Sequence, residues 1–73
     1  MAELFSKTKA RKELYLKQLG ELCKDFRKSK GYTQKQVADE LGISPNVISV
    51  FERGKSDSAY ILFWYIDMGV MLL

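Results

Sequence analysis

The chain has 73 residues, of which 47% are hydrophobic and 29% charged, so it has the length of one small domain and the composition of a folded protein. Its formal net charge of +3 permits binding to a polyanion without requiring it. The sequence has no histidine and a single cysteine, Cys23, which excludes imidazole-based catalysis, a disulfide and a thiolate metal cluster.

These features predict a protein that is not an enzyme and holds no metal or cofactor. A single cysteine suits a reducing, cytoplasmic setting. Residues 1–11 interleave charges and form no signal-peptide core, so we expect no export signal. The most apolar stretch, residues 59–73, is broken by Asp67 and Gly69 and is shorter than the roughly 20 residues of a spanning helix. We therefore expect no membrane association.

Residues 1–12 are predicted to be a basic N-terminal leader or a helix extension. We favour a solvated leader over an arm that contacts DNA. Four cations stand here against the single carboxylate of Glu3: Lys7, Lys9, Arg11 and Lys12.

Helix one is predicted over 13–30 and ends at Gly31, which can adopt a left-handed cap. Its apolar residues recur at spacings of three and four, which places them on one inward stripe. They are Leu16, Leu19, Leu22, Cys23 and Phe26.

Two capped helices follow. Thr33 and Gln36 have the spacing of a capping box, and Gly42 ends this second helix. Ser44 then caps a third helix, with Pro45 in its first position, where a missing N–H costs nothing. The segment 33–53 therefore predicts a helix-turn-helix, with Ile48 and Phe51 of the third helix facing inward.

Seven consecutive apolar residues, 60–66, follow a polar link. The serines at 56 and 58 favour a fourth helix, 59–68, over a strand, and Gly69 would end it. Such a helix is apolar on every side, and a domain of this size cannot bury all of it. We expect part of it to form a homodimer interface, with Ile61, Phe63, Tyr65, Met71 and Leu72 as its residues.

The segments RKSKGYTQKQVADELGIS and SPNVISVFERGK, with the apolar fourth helix, resemble the lambda-repressor-like (Cro/C1, XRE-type) helix-turn-helix family. The resemblance covers residues 19–70. It implies a small all-α domain of four helices, or five, over residues 13–73. It also implies a DNA-binding transcriptional regulator, more in keeping with a repressor than an activator. In that family the third helix enters the major groove of double-stranded DNA and the second crosses the backbone.

The resemblance also implies roles for individual residues. The positions that meet base edges are Ser44, Pro45, Asn46, Ser49 and Val50. We expect the DNA backbone to be contacted by Thr33, Gln34, Lys35, Arg53 and Lys55. Many relatives have Gln, Lys or Arg at the positions of Pro45 and Val50, and neither residue here can make a bidentate hydrogen bond. Asn46 can pair with adenine, so we predict a site rich in A·T pairs or a large contribution from DNA shape.

Arg27 and Glu52 resemble the arginine–glutamate pair that braces the family's fold. If it is exposed, such a pair contributes about 0–1 kcal/mol, whereas breaking a buried one costs about 3–5 kcal/mol. We expect its role to be structural.

The alternative function is a protein-interaction module, of the antitoxin or anti-repressor kind, that binds a protein partner through helix 59–68. For either function we expect no small-molecule effector.

Overall fold

The computed structural model describes residues 2–70 and the side chains of residues 10–70. Four helices make up this part of the chain, with no strand: α1 (Ala2–Ser29), α2 (Gln34–Leu41), α3 (Pro45–Glu52) and α4 (Ala59–Met68). The predicted all-α class is confirmed. No helix in the described range is long and apolar enough to cross a membrane.

Helix α1 begins at Ala2, earlier than the predicted start at residue 13, and runs through the basic segment without a break. Residues 2–12 contain neither glycine nor proline, so nothing in them ends a helix. At about 1.5 Å per residue its 28 residues span about 42 Å. The longest dimension of the molecule is 44 Å, so α1 sets its length.

The predicted caps of α2 and α3 are present. The Thr33 hydroxyl accepts a hydrogen bond from the Gln36 backbone N–H at 3.1 Å, and the Gln36 side-chain oxygen accepts one from the Thr33 N–H at 2.7 Å. Gly42 ends α2 in the left-handed conformation, with φ of 69°. The Ser44 hydroxyl then accepts from the Asn46 N–H at 3.3 Å and starts α3. These local bonds fix where α2 begins and ends and where α3 begins.

All four helices contribute to the hydrophobic core. The Tyr65 ring stacks on Phe51 at 6.1 Å between centroids and meets Phe26 edge to face at 6.4 Å. The buried hydrophobic residues are Cys23, Val37, Ala38, Ile48, Phe51, Ile61 and Tyr65.

Two predicted placements are corrected by this core. Leu22 was expected on the inward stripe of α1 but is 48% exposed. The buried side of that helix follows Gly20, Cys23 and Arg27, and Leu22 lies about 100° round the helix from Cys23.

Ile61 and Tyr65 were expected at a dimer interface. Both are 0% exposed within the single chain, since they lie on the inward side of α4 one turn apart. They are not available to a second copy.

Helices α1 and α3 touch backbone to backbone at Gly20. A Cβ atom on Gly20 would lie 2.7 Å from the Phe51 carbonyl oxygen and closer still to that of Glu52. Real Cβ atoms do not approach backbone oxygens so closely, so this crossing requires glycine. The contact places the end of α3 directly against α1.

Candidate nucleic-acid interface

The N-terminal part of α3 presents a polar, open surface. Ser44, Pro45 and Asn46 are exposed, and Ser49 and Val50 are half-buried on the same helix. Within the described residues the Asn46 side-chain amide makes no hydrogen bond, and only its backbone N–H is engaged, with Ser44. The amide is therefore available to a base edge.

Three of the residues predicted to contact the DNA backbone lie at the start of α2. Thr33 and Lys35 are exposed, and Gln34 is half-buried. The Lys35 ammonium lies 3.3 Å from the Asp39 carboxylate, but both side chains are more than 60% exposed, so the pair is weak and Lys35 is free to turn to a phosphate. Arg53 and Lys55 are exposed beyond the other end of α3.

Behind this surface the Glu52 carboxylate collects four hydrogen bonds. Arg27 donates from Nε at 2.7 Å and from Nη2 at 3.0 Å, Tyr65 donates its hydroxyl at 2.7 Å, and Gln34 donates its amide at 3.1 Å. We call Arg27, Gln34, Glu52 and Tyr65 the Glu52 cluster. It takes one side chain from each helix.

The cluster is buried and internally satisfied. Arg27 is 6% exposed and Glu52 4%. Arg27 also donates from Nη1 to the Tyr32 carbonyl oxygen at 2.8 Å. No buried side-chain nitrogen or oxygen in the described part of the chain lacks a hydrogen-bond partner. The pair expected from the sequence is thus the centre of a larger network that holds α3 against the other three helices.

Burial alone would raise the pKa of Glu52, but the hydrogen bonds from Arg27, Tyr65 and Gln34 outweigh it, and the pKa lies below its ordinary value. The hydrogen bond to Glu52 raises the pKa of Arg27 in turn. Burial, with the hydrogen bond to Glu52, also raises the pKa of Tyr65, so its hydroxyl remains a donor. Arg27 and Glu52 are therefore both ionised at neutral pH.

Sequence reasoning missed Gln34 and Tyr65 as partners of Glu52. Gln34 was expected only to contact DNA, yet one of its amide hydrogens is used within the chain. Tyr65 lies in an unbroken apolar run, where nothing marks its hydroxyl as a donor to a buried carboxylate. The contact joins two helices, so the pattern within either helix does not reveal it.

Two observations bear on thiol and metal chemistry in the described residues. Burial raises the pKa of the Cys23 thiol to about 12, so it is not a thiolate at neutral pH. No group of three or more Cys, Asp or Glu side chains in this part of the chain could hold a metal ion.

Residues 24–59 match the family model described as "Helix-turn-helix". This segment contains the end of α1, all of α2 and α3 and the link to α4, while most of α1 lies outside it. No curated protein and no solved structure matches the chain.

Proposed function

We propose that this chain is a sequence-specific repressor, because residues 24–59 match the helix-turn-helix family of the lambda-repressor-like (XRE) type, which is the DNA-binding part of transcription regulators. In this proposal α3 enters the major groove and α2 crosses the phosphate backbone. The observation that carries it is the open end of α3, where no described residue binds the Asn46 amide, on a helix joined to the other three by the Glu52 cluster. Occupying a promoter suffices to repress it, whereas activation needs a further contact with the transcription machinery.

Asn46 is the proposed base reader. We expect Asn46→Ala to lower affinity for the preferred duplex by about 1–3 kcal/mol and to leave binding to a scrambled duplex nearly unchanged, because one bidentate contact to adenine is lost. The preferred duplex is first selected from a random pool, and both affinities are then measured at one salt concentration.

The matched control is Gln18→Ala, which removes an exposed amide from α1. It should bind both duplexes like the unaltered chain. An equal loss for Asn46→Ala on the two duplexes would show that Asn46 does not read a base.

We also propose that the repressor is a homodimer. Two-fold pairing would set two copies of α3 about 34 Å apart, one turn of DNA. The outer side of α4 supports this, since Tyr60 is 49% exposed, Phe63 66% and Ile66 38%, at successive spacings of three residues. Phe63 stays in the proposed interface, and Tyr60 and Ile66 take the place of Ile61 and Tyr65. Met71 and Leu72 lie outside the described residues.

Phe63→Glu tests the dimer. Phe63 is exposed in the single chain, so the variant should fold, but a carboxylate there would be buried at the interface. Light scattering at micromolar concentration should give twice the chain mass of 8.4 kDa for the unaltered protein and the single mass for the variant. Tyr15→Glu, at a 60% exposed position of α1, should stay dimeric. An unaltered chain that is monomeric even on DNA would contradict the proposal.

The same exposed residues of α4 favour the alternative, a module that binds another protein. Salt dependence separates the two. DNA binding should weaken with a log–log slope of about −0.9 per phosphate contacted. No measurable binding to any duplex from the random pool would favour the protein-interaction function.

A further inference from the structure

A cleft of about 640 Å³ lies between α1 and the turn that follows α3. A single water takes about 30 Å³, so the cleft holds a phosphate group together with its hydration. Four cations line it: Lys12 and Lys17 on α1, and Arg53 and Lys55 beyond α3. Glu13 is the single carboxylate among its lining residues. We call this feature the basic cleft.

The lining of the basic cleft is positive. Its residues carry four positive charges and one negative charge, a net of +3. A surface of this sign attracts a polyanion.

The cations of the cleft are free to bind a ligand. Among the described side chains, Lys17, Arg53 and Lys55 have no carboxylate within salt-bridge distance. Lys12 lies 3.8 Å from Asp57, with side-chain exposures of 67% and 71%, so that pair is long, exposed and weak. Within the described part of the chain, the Arg53 side chain makes a single hydrogen bond, from Nε to the Ser49 carbonyl oxygen at 3.4 Å.

The walls of the cleft are held at a fixed distance. Gly54 has φ of 76°, and a Cβ atom on it would lie 2.5 Å from the Lys17 Cα. The turn after α3 and the backbone of α1 are therefore in direct contact. This contact fixes the separation of the two backbone segments that carry the cations, so the cleft follows from the fold.

The basic cleft continues the surface proposed to read DNA. Asn46, Ser49 and Arg53 follow one another at spacings of three and four, so they share one side of α3. Arg53 ends that row and also lines the cleft. Lys12 and Lys17 lie outside the residues that match the helix-turn-helix family, so the match assigns them no role.

We propose that the basic cleft binds the phosphate backbone of DNA beside the base pairs that α3 reads, with Lys12 and Lys17 as phosphate-binding residues. This rests on the proposed DNA-binding function. Helix α1 would then extend the contact with DNA beyond the helix-turn-helix. Such contacts add affinity by releasing counterions and carry no base specificity.

The test is the salt dependence of binding to the selected duplex. Each neutralised phosphate contributes about −0.9 to the log–log slope, so Lys12→Gln with Lys17→Gln should make the slope less steep by about 1.8. Between 50 and 200 mM salt the double variant should therefore lose about 12-fold less affinity than the unaltered chain. The ratio of affinities for preferred and scrambled duplexes should stay the same.

Three single variants sharpen the test. Glu13→Gln removes the carboxylate of the cleft and should tighten binding, a gain that misfolding cannot produce. Arg11→Gln removes one charge next to Lys12 in sequence but outside the cleft lining, and it should leave the slope unchanged where Lys17→Gln reduces it.

The outcomes separate the two proposals. If the unaltered chain binds no duplex, the proposed function fails. If it binds and the double variant keeps its slope, the basic cleft does not bind DNA. If Arg11→Gln matches Lys17→Gln, the effect is one of overall charge and the assignment to the cleft is wrong.

Discussion

Replacing Glu52 with alanine is expected to lower the free energy of unfolding by about 3–5 kcal/mol. The substitution leaves the Arg27 guanidinium buried without its counterion and deprives Gln34 and Tyr65 of their acceptor. In a 73-residue domain this is a large share of a total stability of about 5–15 kcal/mol. Urea unfolding followed by circular dichroism measures the loss.

Asp39→Ala is the matched control, because it breaks the exposed pair with Lys35. It should cost about 0–1 kcal/mol. Equal losses for the two variants would show that the Glu52 cluster contributes no more than a surface ion pair.

Glu52→Ala also tests how the stability of the fold depends on pH. Since the pKa of Glu52 is lower in the folded state than its ordinary value of 4.5, its contribution is fully present above pH 4.5 and is lost as the pH falls through the folded pKa. The difference in stability between the unaltered chain and Glu52→Ala should therefore shrink in acid. A difference that stays constant from pH 7 to pH 3 would contradict the lowered pKa.

Gly20→Ala is expected to destabilise the chain by about 1–3 kcal/mol, although alanine favours a helix over glycine by about 1 kcal/mol. The added methyl would collide with the carbonyl oxygens of Phe51 and Glu52, which are backbone atoms and cannot turn away. Relief requires α1 to move off α3, which also pulls Arg27 from Glu52.

Thermal and urea unfolding of Gly20→Ala measure the effect. Glu21→Ala, at the next and exposed position of α1, serves as the control and should change stability by less than about 0.5 kcal/mol. A gain in stability for Gly20→Ala would show that α1 and α3 are not in backbone contact there.

The sequence predicted those parts of the fold that are formed by residues close to one another along the chain. The Thr33–Gln36 box and the caps at Gly42 and Ser44 join residues within four positions of each other, so their spacing is sufficient to identify them. For residues 1–12 the sequence left a leader and a helix extension open and favoured the leader, because a basic, weakly apolar segment has no inward stripe; the helix extension is what the structure has.

What the sequence could not predict depends on contacts between helices. Helix α4 is apolar on every side, so no polar residue shows which side turns inward, and Ile61 and Tyr65 were placed at an interface for that reason. From the sequence alone, Gly20 is a residue that weakens a helix. The reason for it is its contact with the carbonyl groups of α3, which only the structure shows. The basic cleft likewise joins residues about 40 positions apart.

The Glu52 cluster bears on how the domain holds together as a unit. One carboxylate binds a donor from each of the other three helices, so removing any helix leaves a buried polar group without its partner. Without α1 the charge is uncompensated, and without α4 or α2 a donor is lost. We therefore expect the four helices to unfold as a single cooperative unit, with α3 folded only when α4 is docked.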